Sequence, residues 1–487
     1  RYETDFYYDV NNENPYDKVR RDFELGSDYV NKDIDFGEVA LEQNRWLIND
    51  TQNEKKYVIY AQDSNKDGVF ETLKLQNAAK LTGQLGFGIL MNGTLTSLKD
   101  NANLVFSSKD DTIFRGNVNI MGDSSNITLQ SDKWVYAEGQ FDVTGDITLL
   151  GGIALDGTDL DGSNDTGDSV YVGKTTTLNT KEAGTIIAIK GSKDVDILGV
   201  TVAGGTIGEN GITYAGVDSS VVVEAGEQVF IDTVLAASSN VSITTTKDLS
   251  ENDNGKSVIL TAGAGLSTAG LSSHDTNGGD IIIDAKEDVS VMSMILAGGN
   301  KTKSETTNGY DVTYSDKLSS LSITSESQVY IGGLTKAKSG NIVEVGSTLT
   351  ATGSIYVEGG DSADGISVKL PGSAKLITND ANSTITMKGT QNVNVNGVVV
   401  AGGEATDMYD EDENFLGTQI EYFSPNELNN EKGSSIIIEA GYQAKIQRSL
   451  YAGALIDVRG GKGDLFDFSP LPSYEELSLF VDQGVVI

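Results

Sequence analysis

Three segments of the chain repeat one pattern: Asp194-Val195-Asp196-Ile197 leading to Val202-Ala203-Gly204-Gly205, Asp288-Val289-Ser290-Val291 leading to Leu296-Ala297-Gly298-Gly299, and Asn392-Val393-Asn394-Val395 leading to Val400-Ala401-Gly402-Gly403. Val195 and Val289 are 94 residues apart, Val289 and Val393 104. Weaker copies stand at Gln228-Val229-Phe230-Ile231, Gln328-Val329-Tyr330-Ile331, Gln443-Ala444-Lys445-Ile446 and, less cleanly, Lys133-Trp134-Val135-Tyr136, so the unit is shorter than 94 residues. A further apolar run precedes the copies, at 185–189, 220–223, 280–283, 321–323, 383–387 and 435–438. The combined consensus, Ser-Ile-Ile-Ile-x-Ala-x-x-x-Val-x-Ile-x-x-x-Leu-x-Ala-Gly-Gly, is about 20 residues long.

Alternating polar and apolar residues specify strands with one buried face. The Gly, Ala, Asn and Asp between them suit sharp corners. A unit this short cannot bury its apolar face alone, so consecutive units must stack around a shared interior, as in a parallel β-solenoid. About 13 to 16 coils are expected over residues 104–460. An array of sandwich modules of ~100 residues also fits the long spacings, but not the short strands, the Ile-Ile-Ile runs or the weaker copies within each hundred.

The repeats, for example Gly279-Asp280-Ile281-Ile282-Ile283-Asp284-Ala285 leading to Ile295-Leu296-Ala297-Gly298-Gly299, resemble those of the filamentous haemagglutinin-type large exoproteins and related bacterial surface adhesins over roughly residues 116–460. Other secreted β-solenoids, including surface-layer proteins, share the style. The resemblance implies an all-β, right-handed parallel β-helix with ~20-residue coils, together with secretion, surface attachment and adhesion. Residues 1–50 read as an acidic, aromatic arm or linker, with a short helix near Val39 to Trp46. Residues 51–115 read as a β region and N-terminal cap, 116–460 as the solenoid, and 461–487 as a C-terminal cap or the start of a next element.

Composition narrows the function. Lys plus Arg number 35 against 71 Asp plus Glu, a net charge of −36, which repels nucleic acid and anionic membranes. No apolar run is long enough for a membrane-spanning helix. The absence of Cys and the single histidine, His274, remove disulfides, thiolate metal sites and most His-based catalysis.

The sharpest local motif is Asp63-Ser64-Asn65-Lys66-Asp67-Gly68-Val69-Phe70-Glu71. Asp63, Asn65, Asp67 and Glu71 place oxygens as a Ca²⁺ loop does, with Gly68 at the sharp turn. Position twelve is Lys74, so this is no EF-hand; it is similar to nine-residue Ca²⁺ loops set between two strands. An Asp-Gly hairpin turn explains the same residues without metal. Asp156, Asp159 and Asp161 form a second candidate, which equally suits a solvated acidic loop. After each Ala-Gly-Gly corner the pattern lapses, over 206–220, 300–320 and 404–434. In a solenoid these insertions project from one edge, and their aromatics, Tyr310, Tyr314, Tyr409, Phe415, Tyr422 and Phe423, suit contact with a partner or glycan; tolerated insertions, or covers for the sheet edge, explain the same lapses.

The expected function is therefore a secreted, non-catalytic cell-surface protein. It would be a calcium-stabilised β-solenoid acting in adhesion or as a subunit of an extracellular filament or surface layer. Its partners would be copies of itself, other cell-surface proteins or surface glycans, with no nucleic acid and no membrane insertion. The alternatives are a polysaccharide lyase or glycoside hydrolase, which needs paired carboxylates on one face, and a phage or viral fibre.

Overall fold

The computed structural model describes residues 100–461 apart from 109–110, 161–166, 250–254, 274–277, 304–309, 333–334, 339–340, 345–346, 410–414 and 423–432, together with strands on either side of that range. The described residues contain strands and no helix. They fall into two compact units, residues 1–208 with 213–229, and residues 209–212 with 230–487.

In the first unit one parallel sheet runs through Asp33–Asp35, Lys80–Thr82, Asn103–Ser108, Asn126–Ser131, Ile147–Gly151, Ile186–Gly191 and Ser220–Ala225. A second set of parallel strands grows from Ile89–Ser97, which pairs along its whole length with Thr112–Ile120. There it forks. Residues 112–115 pair with Val135–Glu138, followed by Asp168–Val172 and Asp194–Ile197. Residues 118–120 pair with Gln140–Val143, followed by Thr177–Thr180 and Val200–Ala203. The fork lies at Gly139, whose φ is 116°. A Cβ there would stand 2.0 Å from the Gly116 carbonyl oxygen, so only glycine lets the strand break beside its neighbour. An antiparallel sheet of Tyr7–Asp9, Lys55–Tyr60 and Arg45–Asp50 accompanies this unit. Arg45 and Trp46 are thus extended, where the sequence suggested the end of a helix: alternating Trp46 and Ile48 pair with Ile59 and Tyr57.

The second unit also holds three parallel ladders. Its outer sheet runs Asn240–Thr245, Ile281–Ala285, Leu321–Ser325, Ile355–Gly359, Thr384–Gly389, Ser435–Ala440 and Leu455–Arg459. Lys256–Leu260, Asp288–Val291, Val329–Ile331, Ile366–Leu370, Asn392–Val395, Ala444–Ile446 and Leu479–Val481 form the next ladder. Val234–Ala237, Gly265–Thr268, Met294–Ala297, Thr348–Ala351, Lys375–Thr378, Val398–Ala401 and Leu450–Ala452 form the third.

Register explains the consensus. Ile281, Leu321, Ile355, Ile385 and Ile436 are paired in succession, as are Ile283, Ile323, Val357, Met387 and Ile438, and all are at most 1% exposed. Like residues in register thus stack as one buried column. The next inward column holds Ala285, Ser325, Gly359, Gly389 and Ala440, because the chain turns there. A Cβ on Gly359 would reach 2.0 Å from the Ser367 carbonyl oxygen.

The outer-sheet strands start 23, 21, 39 and 34 residues apart in the first unit, and 41, 40, 34, 29, 51 and 20 apart in the second. Twenty residues is thus the minimum repeat, and most repeats carry insertions. The spacings of 94 and 104 belong to groups of three repeats. In the ladder that holds Asp194–Ile197 and Asp288–Val291, each group's strands carry Ser-Val (Ser169, Ser257, Ser367), then Asp or Asn-Val (Asp194, Asp288, Asn392), then the Gln copy (Gln228, Gln328, Gln443). Each Ser-Val strand has a register shift against its successor, at Asp168/Val170, Lys256/Val258 and Ile366/Val368.

Polar side chains bind repeat to repeat at the corners. Asp194 Oδ1 accepts the Gln228 N–H at 3.1 Å, Asp288 Oδ1 that of Gln328 at 2.9 Å, and Asn392 Oδ1 that of Gln443 at 2.9 Å. The Gln228, Gln328 and Gln443 copies therefore follow an Asp or Asn because that side chain satisfies their main chain. At the outer sheet's entry, Asn126 accepts from Asp146 N, Asp146 from Ile186 N, Asn240 from Asp280 N and Asp280 from Ser320 N, at 2.6 to 2.8 Å.

Candidate functional site

The third corner is where the structure departs from a bare stack. Gly204, Gly298 and Gly402 have φ of 71°, 80° and 71°, and each N–H donates to a buried hydroxyl of the repeat before it: Thr180, Thr268 and Thr378, all at 3.1 Å. A Cβ on Gly298 would lie 2.2 Å from Thr352 Oγ1, and one on Gly402 2.5 Å from Ser434 Oγ. From these three glycines the chain leaves the parallel ladders. Strands Gly205–Gly208 and Gly211–Tyr214 follow the first. The second opens an antiparallel hairpin, Gly299–Lys303 with Tyr310–Tyr314. The third opens a longer one, Gly403–Tyr409 with Phe415–Tyr422. Gly211 pairs with Thr302, and Asn300 Nδ2 donates to the Ile212 carbonyl at 2.9 Å, so residues 209–212 extend the second hairpin's sheet.

Within the second unit a cavity of about 300 Å³ opens where these hairpins leave the stack. Tyr314 and Leu318, 37% and 45% exposed, form its apolar side. Its polar side comes from other turns: Thr352, Asn379 and Asp380, and Glu404 at the foot of the third hairpin. Asp316 and Lys317 complete the rim, but the Lys317 ammonium donates to the Ser272 carbonyl. Asp380 Oδ1 caps its own turn by accepting the Asn382 N–H at 2.8 Å. Burial raises the Tyr314 hydroxyl pKa; Asn379 opposes the shift and Glu404 adds to it. Although Asn379 faces Tyr314, neither its Oδ1 nor its Nδ2, both shielded from solvent, meets a partner in hydrogen-bonding geometry.

The first unit carries a second cluster. Arg115 sits 5.3 Å over the Tyr136 ring, and the Tyr136 and Tyr171 rings stack at 5.3 Å and 3°. Trp134 packs against Tyr136 at 5.2 Å. The Tyr136 hydroxyl donates to Glu138 at 2.8 Å, and burial, then Glu138, raises its pKa to about 12. Tyr171 pairs in register with Asp196. Burial, then the charge of Asp168, pushes Asp196 up to about 7. Stacking engages the ring faces with one another and with Arg115, so this cluster reads as a cross-repeat zipper.

Of the residues singled out in the sequence, Asp63, Asn65, Asp67 and Glu71 lie outside the described residues, as do Asp161 and Phe423. Asp156 is exposed; its carboxylate accepts the Thr158 N–H at 3.0 Å, and the bonds from Thr158 lower its pKa. Asp159 bridges to Ile153 through the main chain. Among the described residues no three acids converge as metal ligands would. Tyr310 and Tyr314 stand at the two ends of one hairpin strand, Tyr409 is paired with Phe415, and Tyr422 with Gly403. Tyr314 lines the cavity. Asn379, Asp380 and Glu404 were not recognised from the sequence, because Asn379 and Asp380 end one repeat and Glu404 the next, and only stacking brings them together. No family model, curated protein or solved structure matches the chain.

Proposed function

We propose that the chain is a secreted, non-catalytic cell-surface protein in which the three ladders form a right-handed parallel β-helix, and the hairpins serve adhesion or the joining of subunits into an extracellular filament or layer. The observation that carries this reading is the repeated departure of the chain at one corner, at Gly204, Gly298 and Gly402, while the ladders continue in register beneath. Elements added without disturbing the interior are free to diversify toward a partner. That partner is another cell-surface protein, a surface glycan or a second copy. Calcium at the Asp63 to Glu71 loop belongs to the same reading, as a counter-charge for a chain of net charge −36.

The test replaces residues 406–418 by a short Gly-Asn-Gly turn in the full chain and measures adhesion to cells and assembly by negative-stain microscopy, with calcium and with chelator. Loss of adhesion or assembly with unchanged ladder content supports the reading; equal adhesion and assembly in the variant refute it. A second reading, cleavage of a polysaccharide, draws on Asp196, whose pKa of about 7 beside Asp168 is that of a general acid. Release of reducing ends that is abolished by Asp196→Asn would favour it.

A further inference from the structure

We infer that the outer edge of the second hairpin, strand Tyr310–Tyr314, docks an extended, basic segment of a partner protein as an added strand; this rests on the hairpins being the recognition surface, and names the partner's chemistry. The hairpin's opposite edge already takes a strand in this way. There Gly211 pairs with Thr302, and Asn300 Nδ2 holds the Ile212 carbonyl at 2.9 Å. On the far side, among the described residues, the sheet ends at Tyr310–Tyr314. The Ser315 N–H donates to the Gly298 carbonyl at 2.7 Å. By the alternation of an antiparallel pair, the N–H and C=O groups of Val312 and Tyr314 therefore point away from the hairpin. An edge of this kind is a template for another strand.

Edges are ordinarily blunted by a bulge, a proline or a lysine on the strand. This one reads Tyr-Asp-Val-Thr-Tyr, and its register from Gly299 with Tyr314 to Lys303 with Tyr310 runs without a shift. The third hairpin, by contrast, slips between Met408 and Tyr409. Val312 and Tyr314, two apart and so on one face, are 38% and 37% exposed, and Leu318 just beyond is 45% exposed. An added strand satisfies the main chain and gives this apolar row cross-strand neighbours. Charge then chooses the partner. The cavity of about 300 Å³ at the strand's foot has room for a long side chain and is lined by Asp316, Asp380 and Glu404. Lys317, the cation on its rim, donates to the Ser272 carbonyl. A Lys or Arg entering from the docked segment complements these acids, whereas a second copy, with the same net charge of −36, is repelled.

The test measures binding of two short fluorescent peptides to the full chain by anisotropy, one alternating Val with Lys and the other Val with Glu, and reads hydrogen exchange in the complex by mass spectrometry. The Val-Lys peptide is expected to bind and to slow exchange over residues 310–314, and the Val-Glu peptide is not. Val312→Pro removes an N–H that the hairpin does not use, so the hairpin should persist while binding weakens about tenfold. Val312→Thr, which keeps the N–H, should bind within about twofold of the parent. Glu404→Lys should weaken binding several-fold. Thermal midpoints of the variants, measured in parallel, show that each is folded. No binding of the Val-Lys peptide, equal binding of the Val-Glu peptide, unchanged affinity in Val312→Pro, or protection confined to other segments would overturn the assignment. A dimer of the chain alone that is lost in Val312→Pro, seen by sedimentation, would give the edge to a second copy and overturn the choice of partner. Adhesion that depends on the third hairpin but is equal in Val312→Pro and the parent would overturn this site and leave the surface function standing.

Discussion

Asp196→Asn should make the protein more stable at alkaline pH, and the gain should vanish in acid. In the folded chain the Asp196 carboxyl, lying against Tyr171 and close to Asp168, has a pKa raised from 3.8 to about 7. Between those values the folded form holds a proton that the unfolded form has released. Stability from this group is therefore complete below pH 4, falls as pH rises, and is lost above pH 7. Three units at about 1.4 kcal/mol each give roughly 4 kcal/mol as the largest effect. The asparagine variant carries no charge to desolvate, so its advantage should approach that figure at pH 8 and be near zero at pH 4. Urea unfolding between these pH values, followed by tryptophan fluorescence, reports it locally, because Trp134 packs on Tyr136 in the same unit. Asp168→Asn should reproduce part of the gain, as it removes the like charge but not the burial. Parallel pH profiles for the parent and Asp196→Asn, or a variant less stable at pH 8, would refute the reasoning.

Three further outcomes follow from the corners and the acidic loop. Gly359→Ala should cost about 2 kcal/mol or more, because its Cβ would enter the Ser367 carbonyl, whereas Ala440→Gly, in the same column, should cost about 1 kcal/mol; thermal denaturation separates the two. Asp288→Ala orphans the Gln328 N–H and should lower stability by about 1 to 3 kcal/mol, with Asp288→Asn recovering most of it. Calcium titration calorimetry should show one site that is lost in Asp67→Ala and retained in Asp156→Ala; a site lost only in the latter would exchange the two assignments.

Much of the fold was legible because the strands obey a period of two. Asp194 to Ile197 and Asn392 to Val395 alternate half-buried polar and buried apolar residues, the 288–291 copy keeps the residue alternation although Ser290 is buried, and the Ile-Ile-Ile runs alternate in burial along their strands. The Ser-Val strands were missed for a physical reason. Ser169 and Val170 are consecutive and both 0% exposed, as are Ser257 with Val258 and Ser367 with Val368, since the register shift turns two neighbouring side chains inward. That breaks the alternation, and the grouping in threes went unseen with it. The hairpins were visible only as lapses, because Gly299 to Tyr314 has too little apolar content to announce paired strands. The cavity was beyond sequence reasoning altogether: Tyr314, Asn379 and Glu404 gain meaning from stacking.

The Asp, Asn and Thr corner bonds named above also share a direction, although the Ala102, Thr185 and Ser319 N–H groups donate to hydroxyls later in the chain, those of Ser125, Ser219 and Thr352. Asp194, Asp288 and Asn392, the entry residues Asn126, Asp146, Asn240 and Asp280, and the hydroxyls of Thr180, Thr268 and Thr378 all accept from main chain that comes later in the sequence. A chain emerging from its amino end thus completes each turn with its acceptors already set out for the next, and the growing edge acts as a template. Shortening from the two ends is not equivalent. Trimming the carboxyl side strands side-chain oxygens that can swing to water, while trimming the amino side strips partners from amides fixed in the backbone. Nested deletions should therefore be tolerated unequally, with the vectorial order of synthesis written into which atom gives and which receives.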